Sequence, residues 1–217
     1  MTVDHAAMMW AEVAEIGELL HELRDEEFDQ PSLCEGWKVR DVIGHMSFGH
    51  TTPMPKIIGA VVQYRGNMTK GSFELSKKFA AARTPAELVA FWDTELVQKH
   101  SRKGIAKVIK YTEAFPDHLI HHQDIRRPLE RSRDIPEERL AAVLDLLPGI
   151  KTPFFSTKPV VQGLRLVATD IGWSHGDGPA VEGPAEPLIM GIAGRQSAFD
   201  ELQGDGLPTL IERWKTA

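Results

Sequence analysis

The first 24 residues repeat apolar side chains with the period of an α-helix. Steps of three or four residues separate Val3, Ala7, Trp10, Ala14, Gly17 and Leu20, and acidic residues occupy the opposite side. Such spacing predicts an amphipathic helix from Val3 to about Arg24 that buries one face.

A second helical pattern follows a loop that contains Pro31 and Gly36, and it extends from Trp37 to about His50. His45 lies on its apolar side, which is expected to face inward. Pro53 and Pro55 then interrupt the chain, and the apolar segment 57–62 is interpreted as a continuation or a kinked second half of the same helix.

Two later segments also have helical signatures. Thr84-Pro85-Ala86-Glu87 combines an N-cap threonine, a proline at the first helical position and a glutamate at the third, which predicts a helix through about Lys99. A further helix is predicted between Phe115-Pro116 and Pro128, and it holds three histidines and two aspartates within residues 117–124. On that helix Asp117, His121 and Asp124 share one face.

The composition changes after Pro148-Gly149, where proline and glycine become frequent. Strands are predicted at 164–169 and 180–182, with residues 173–179 as the turn between them and helices at 188–193 and 207–214. The chain is therefore predicted to contain a helical domain at residues 1–148 and a smaller α+β domain at residues 149–217.

The charge of the chain narrows its class of partners. The chain has 217 residues, a formal net charge of −6 and a pI near 5.8. This acidic charge balance disfavours a general nucleic-acid binder. The N-terminus lacks a secretory signal pattern, and no apolar run approaches the ~20 residues of a membrane span. We therefore expect a cytoplasmic protein that acts on small molecules, with no nucleic-acid or membrane partner.

The histidine-rich segment is a candidate metal site. Cys34 is the only cysteine, so an internal disulfide and a Cys-pair zinc site are excluded and ligands must include His, Asp or Glu. His45, Asp117 and His121 would supply three ligands from two helices, and Asp124 would orient one of them from behind. His118 and His122 form a competing pair at the same spacing, and periodicity does not choose between the two faces.

More ordinary interpretations exist for these residues. A single histidine on an apolar face is usually a hydrogen-bonded core residue, and a helix rich in His and Asp is often a solvated surface. Arg195 offers a guanidinium that suits a carboxylate of a substrate or thiol, although a surface ion pair is a comparable explanation. Cys34 is expected to have a packing role.

Several of these motifs together resemble one protein family. The run CEGWKVRDVIGH, from Cys34 to His45, is similar to the N-terminal signature of the mycothiol-dependent maleylpyruvate isomerase family, which is part of the wider DinB-like metalloproteins. Asp117-x-x-x-His121-x-x-Asp124 resembles the later acidic-x-x-x-His-x-x-Asp motif of that family. Members of that family also have a smaller, sterol-carrier-like domain. Motifs similar to those of that domain occur here at Gly176-Asp177-Gly178-Pro179, Gly194-Arg195 and Gly204-Asp205-Gly206.

The resemblance implies a mainly α fold, a DinB-like four-helix bundle followed by the smaller α+β domain. It also implies a divalent metal, most often zinc, held by His45, Asp117 and His121, with mycothiol or a similar thiol as co-substrate for isomerisation or S-transfer on a small electrophile. The family usually has Glu at the position of Asp117. A homodimer is a further expectation, and a non-catalytic binding protein with a structural metal is the alternative function.

Overall fold

The computed structural model describes residues 3–152 and 155–216, and it divides into two compact units. One unit, called the first here, is Asp4–Ser132, and the second consists of Val3 and the described residues from Arg133 onward. The helix Glu137–Leu146 falls in the second unit because it packs against a later helix, Ala185–Ile192. The domain boundary expected from the sequence lies after this helix, at residue 148, so the two divisions differ by that element.

Within the described residues, the first unit contains six α-helices. They are α1 (His5–Glu22), α2 (Val39–Thr51), α3 (Met54–Gln63), α4 (Met68–Ala81), α5 (Pro85–Trp92) and α6 (Tyr111–Arg126). A π-helical turn, Asp93–Gln98, extends α5.

Two helix starts follow directly from side-chain caps. The carboxylate of Asp4 accepts hydrogen bonds from the backbone N–H groups of Ala6 and Ala7, at 3.1 and 3.0 Å, so α1 begins at His5. At α5 the Thr84 hydroxyl accepts from the Glu87 N–H, while the Glu87 carboxylate accepts from the Thr84 N–H. The predicted capping box is confirmed.

The predicted continuation of α2 past Pro53 is wrong. Thr52 and Pro53 both have extended backbones, with ψ angles of 123° and 146°, and α3 is a separate helix that begins at Met54. A residue that precedes proline is sterically excluded from the helical region, which explains the break at Thr52.

The histidine-rich helix α6 begins earlier than predicted. It starts at Tyr111, so Pro116 lies inside the helix rather than before it. Proline there lacks the N–H that would bond to the carbonyl four residues earlier. Because α6 is buried along most of its length, tertiary packing outweighs this local cost.

Four helical segments enclose the core of the first unit. α1 packs against α6 and α5, while α2 packs against the same two helices. The large side chains in this core include Leu19, Ile43, Leu88, Trp92 and Ile125, all less than 2% exposed. The indole N–H of Trp92 donates to the carbonyl of Val13 at 3.0 Å, which ties α5 to α1. The resulting bundle agrees with the predicted fold class.

Close packing of α2 on α4 gives a first testable prediction. A Cβ on Gly44 would lie 2.7 Å from the carbonyl oxygen of Ser76 and 3.0 Å from the Cβ of Ala80. Gly44→Ala is therefore expected to lower the free energy of unfolding by about 1–3 kcal/mol, as overpacking usually does. Gly49 lies on the same helix, and a Cβ there would have no other atom within 4 Å, so Gly49→Ala is expected to be neutral or to stabilise by up to about 1 kcal/mol. Urea denaturation of both variants checks the contrast, and equal effects would contradict it.

The second unit combines four helices with a small sheet in its described residues. The elements are α7 (Glu137–Leu146), α8 (Lys158–Val161), β1 (Arg165–Ala168), β2 (Trp173–His175), β3 (Ala180–Gly183), α9 (Ala185–Ile192) and α10 (Leu207–Lys215). The strand order is β2-β1-β3, with β1 antiparallel to β2 and parallel to β3. Leu166 pairs with His175 on one side and with Val181 on the other.

The sheet corrects one prediction and supports the others. Residues 173–175 were predicted to belong to a turn, but they form β2, whereas the predicted strands at 164–169 and 180–182 correspond to β1 and β3. Hydrogen bonds to β1 stabilise β2, and local sequence preference does not reveal such pairing. The fold is thus mainly helical with a small α+β part near the C-terminus, as predicted.

Two glycine motifs of the second unit contain a position that only glycine can occupy. Gly176 has φ of +78°, and a Cβ there would lie 2.4 Å from the carbonyl oxygen of Leu164. Gly204 has φ of +106°, and its Cβ would lie 2.3 Å from the carbonyl oxygen of Ala180. Only glycine fits these left-handed, closely packed turns, so both motifs serve the fold.

In the described parts of the chain, no helix combines the length and apolar character that crossing a bilayer requires.

Candidate metal centre

The structure brings His45, Asp117 and His121 together. One potential ligand atom from each lies within 4.8 Å of the other two. The rings of His45 and His121 have centroids 5.1 Å apart and stand nearly perpendicular, at 72°. His121 Nε2 lies 3.6 Å from Asp117 Oδ1. Packing of α2 on α6 creates this meeting point, and the four-residue spacing on α6 places Asp117 and His121 on one side.

Two serines on α4 contact His45. The hydroxyls of Ser72 and Ser76 each lie 3.3 Å from His45 Nδ1, and that of Ser76 donates to the Ser72 carbonyl at 2.7 Å, so its oxygen is available to accept from the ring. With the proton on Nδ1, the Nε2 atom of neutral His45 keeps its lone pair. Burial lowers the pKa of His45 to about 4, and the neighbouring His121 acts in the same direction. His45 is therefore a neutral imidazole at physiological pH, the form that binds a metal.

His121 is held by a buried carboxylate. Its Nδ1 lies 2.9 Å from Oδ2 of Asp124, which is fully buried. Burial alone would lower the pKa of His121, but the carboxylates of Asp117 and Asp124 outweigh it and raise the pKa well above the ordinary value. The Nδ1–H bond to Asp124 directs Nε2 to the Asp117 side, and a metal bound there must displace a proton.

Cys34 contacts this same group from the loop before α2. Its thiol donates to Asp124 Oδ2 at 3.1 Å, and its sulfur lies 3.8 Å from His121 Nδ1. The backbone N–H of Leu33 also donates to the Asp124 carbonyl at 3.0 Å. A packing role was expected for Cys34 from the sequence, and these contacts were missed. Its place at the start of the run that ends in His45 was the available signal.

Aromatic side chains form one wall beside the two histidines. The ring of Trp37 has its centroid 5.1 Å from that of His45, 6.4 Å from that of His121 and 5.8 Å from that of Phe73. Its indole nitrogen is buried and has no hydrogen-bond partner among the described residues. Trp37, which lies just before α2, thus borders the candidate site.

The competing histidines lie in different surroundings. His118 Nε2 is 3.0 Å from Nε2 of His50, and burial is the main cause that lowers the pKa of both rings, that of His50 to about 3. His122 Nδ1 lies 2.7 Å from a carboxylate oxygen of Glu12, and Arg126 donates to His122 Nε2 at 2.7 Å. Neither competitor belongs to the group around His45.

A further cluster of Glu12, Glu15 and His122 also has metal-ligand composition. Both ring nitrogens of His122 already take part in hydrogen bonds, one with Glu12 and one with Arg126. The cationic guanidinium of Arg126 supplies the positive charge that a metal would bring. This cluster is better described as a buried ionic network between α1 and α6.

Arg195 lies in the second unit, between α9 and a 3-10 segment, where it donates to the carbonyl of Ala193 at 2.8 Å. Its role in binding a carboxylate stays a prediction.

Comparison with known proteins gives two kinds of similarity. Residues 9–100 match the model of the mycothiol maleylpyruvate isomerase N-terminal domain. Two solved structures resemble the chain: mycothiol-dependent maleylpyruvate isomerase, with a TM-score of 0.56, and a histidine-to-alanine variant described by the same name, with 0.59. Each is 15% identical, and each alignment covers 93% of this chain and 91% of the other. No curated protein sequence matches significantly. At such identity, the structural likeness establishes the fold.

Proposed function

Since residues 9–100 match the model of the mycothiol maleylpyruvate isomerase N-terminal domain, we propose that the chain is a metal-dependent enzyme of this family. It uses mycothiol, or a similar low-molecular-weight thiol, for isomerisation or S-transfer on a small electrophile. The metal ligands are His45, Asp117 and His121, and zinc is the metal that suits them best.

The observation that carries this proposal is the convergence of three prepared ligands from two helices. His45 and His121 each have Nδ1 engaged, by Ser76 and Asp124 respectively, so each can offer Nε2. Nitrogen and carboxylate donors of this kind suit zinc, and three protein ligands leave a position for a further molecule. Asp117 is shorter than the glutamate usual in the resembling family, but its Oδ1 still lies 3.6 Å from His121 Nε2.

A divalent metal at these ligands supplies the positive charge that lowers the pKa of a thiol, so that the nucleophilic thiolate exists at neutral pH. The residues of the chain have supporting tasks. Asp124 holds the proton of His121 Nδ1, Ser76 fixes the ring of His45, and Trp37 excludes water from one side. In an isomerisation the thiolate adds to a conjugated double bond, allows rotation and leaves, so no atom is gained or lost.

The proposal is tested with metal-free and metal-loaded protein, mycothiol and maleylpyruvate as the probe substrate. We expect one tightly bound divalent ion per chain at the ligands His45, Asp117 and His121, and turnover that requires both the ion and the reduced thiol. Chelation should abolish turnover, and added Zn²⁺ should restore it; mycothiol disulfide in place of the thiol is the matched control. Absence of a stoichiometric metal would refute the proposal. A metal-loaded protein without activity on maleylpyruvate or on a panel of thiol-reactive electrophiles would favour the non-catalytic alternative.

A further inference from the structure

A second pair of histidines lies one helical turn away from the first. On α2, His50 follows His45 by five residues, and on α6, His118 precedes His121 by three. His50 and His118 are 5% and 3% exposed, and their Nε2 atoms are 3.0 Å apart. Two imidazole nitrogens are therefore placed face to face in the interior of the first unit.

The hydrogen bonds of these rings leave the facing nitrogens without a proton. His50 Nδ1 lies 2.9 Å from the carbonyl oxygen of Ser101, and His118 Nδ1 lies 2.7 Å from that of Ala114. A carbonyl oxygen only accepts, so both Nδ1 atoms carry their proton and both Nε2 atoms of the neutral rings carry a lone pair. Two lone pairs at 3.0 Å repel each other unless a positive species lies beside them.

A metal ion bound by both nitrogens meets this requirement. The bond from Nδ1–H to a backbone carbonyl is the usual arrangement that orients a metal-binding histidine. The two rings come from different helices, as in other metal sites of helix bundles.

The separation of the nitrogens indicates the geometry of the ion. For metal–nitrogen bonds of about 2.0–2.1 Å, ligands at right angles are about 2.9 Å apart and tetrahedral ligands about 3.4 Å apart. The observed 3.0 Å is close to the right-angled arrangement, which Cu²⁺ and Ni²⁺ favour. On α2, Ser47 lies one turn before His50, and its fully buried hydroxyl has no hydrogen-bond partner among the described residues.

We propose that His50 and His118 form a second metal site, distinct from His45, Asp117 and His121, which takes a divalent copper or nickel ion in a tetragonal environment. Trp10 packs edge-on against His50, with ring centroids 5.6 Å apart, and shields this site. Water or an oxygen donor completes the coordination.

The experiment measures Cu²⁺ bound per chain by equilibrium dialysis of metal-free protein. We expect two tightly bound ions in the wild type and one in His50→Ala, in His118→Ala and in His121→Ala. The double variant His118→Ala/His121→Ala should retain none. His175→Ala, which removes an exposed histidine of the second unit, is the matched control and should retain two.

Electron paramagnetic resonance on unmutated protein provides a measurement that does not depend on how the variants fold. The second equivalent of Cu²⁺ should show a tetragonal spectrum with coupling to two imidazole nitrogens. One tight ion in the wild type, or two retained in both His50→Ala and His118→Ala, would overturn this inference. If the one ion is lost in His45→Ala, the proposed function survives and only the second site fails.

Discussion

Replacing His121 by alanine is expected to remove the metal from the site with His45 and Asp117, and thiol-dependent turnover with it. Both ring nitrogens of His121 contribute to the site. Nδ1 bonds to Asp124, and Nε2 lies 3.6 Å from Asp117 Oδ1. Loss of a partner behind a ligand typically costs about 10–100-fold in metal affinity or activity, and loss of the ligand itself should exceed about 100-fold.

Two comparisons make this prediction specific. Asp124→Asn keeps the size of the side chain but removes the carboxylate that orients His121, so we expect an intermediate loss of about 10–100-fold in metal affinity. His175→Ala changes an exposed residue and should leave Zn²⁺ affinity and kcat/KM unchanged. Zn²⁺ competition with a chelating dye and steady-state kinetics give both numbers. Wild-type Zn²⁺ affinity in His121→Ala would show that the ligand assignment is wrong.

Replacing Glu12 by alanine is expected to lower the free energy of unfolding by about 3–5 kcal/mol, the usual cost of removing one partner from a buried ionic network. Glu12 and His122 are fully buried, with 2.7 Å between Glu12 Oε1 and His122 Nδ1. Arg126 donates to the other ring nitrogen at 2.7 Å, so the network joins α1 to α6. The Glu12→Ala substitution removes the carboxylate that balances the charge of the Arg126 guanidinium within the bundle.

The control for this prediction is Glu18→Ala, on the exposed side of the same helix, which should change stability by no more than about 0.5 kcal/mol. Urea denaturation monitored by circular dichroism measures both variants. Equal stabilities for Glu12→Ala and Glu18→Ala would contradict the structural importance of the network. Because Glu12 lies outside the group formed by His45, Asp117 and His121, folded Glu12→Ala should still bind Zn²⁺ there.

Much of the fold follows from local patterns in the chain. The cap at Thr84, the amphipathic period of α1 and the apolar strands β1 and β3 each depend on neighbouring residues, so the sequence alone predicts them. The common face of Asp117 and His121 likewise follows from the period of a helix. Pro116 inside α6 and the strand β2 depend on tertiary contacts, and both were predicted incorrectly.

Only the tertiary structure separates the histidines of α6 by what surrounds them. Residues 118–125 are all buried, so no polar face distinguishes His121 from His118 or His122, and periodicity fails for that reason. Their partners come from distant parts of the chain: His45 and Cys34 for His121, His50 for His118, and Glu12 for His122. The sequence by itself determined which residue types could bind a metal and the helices that carry them. Packing of α1 and α2 against α6 decided which of those residues meet.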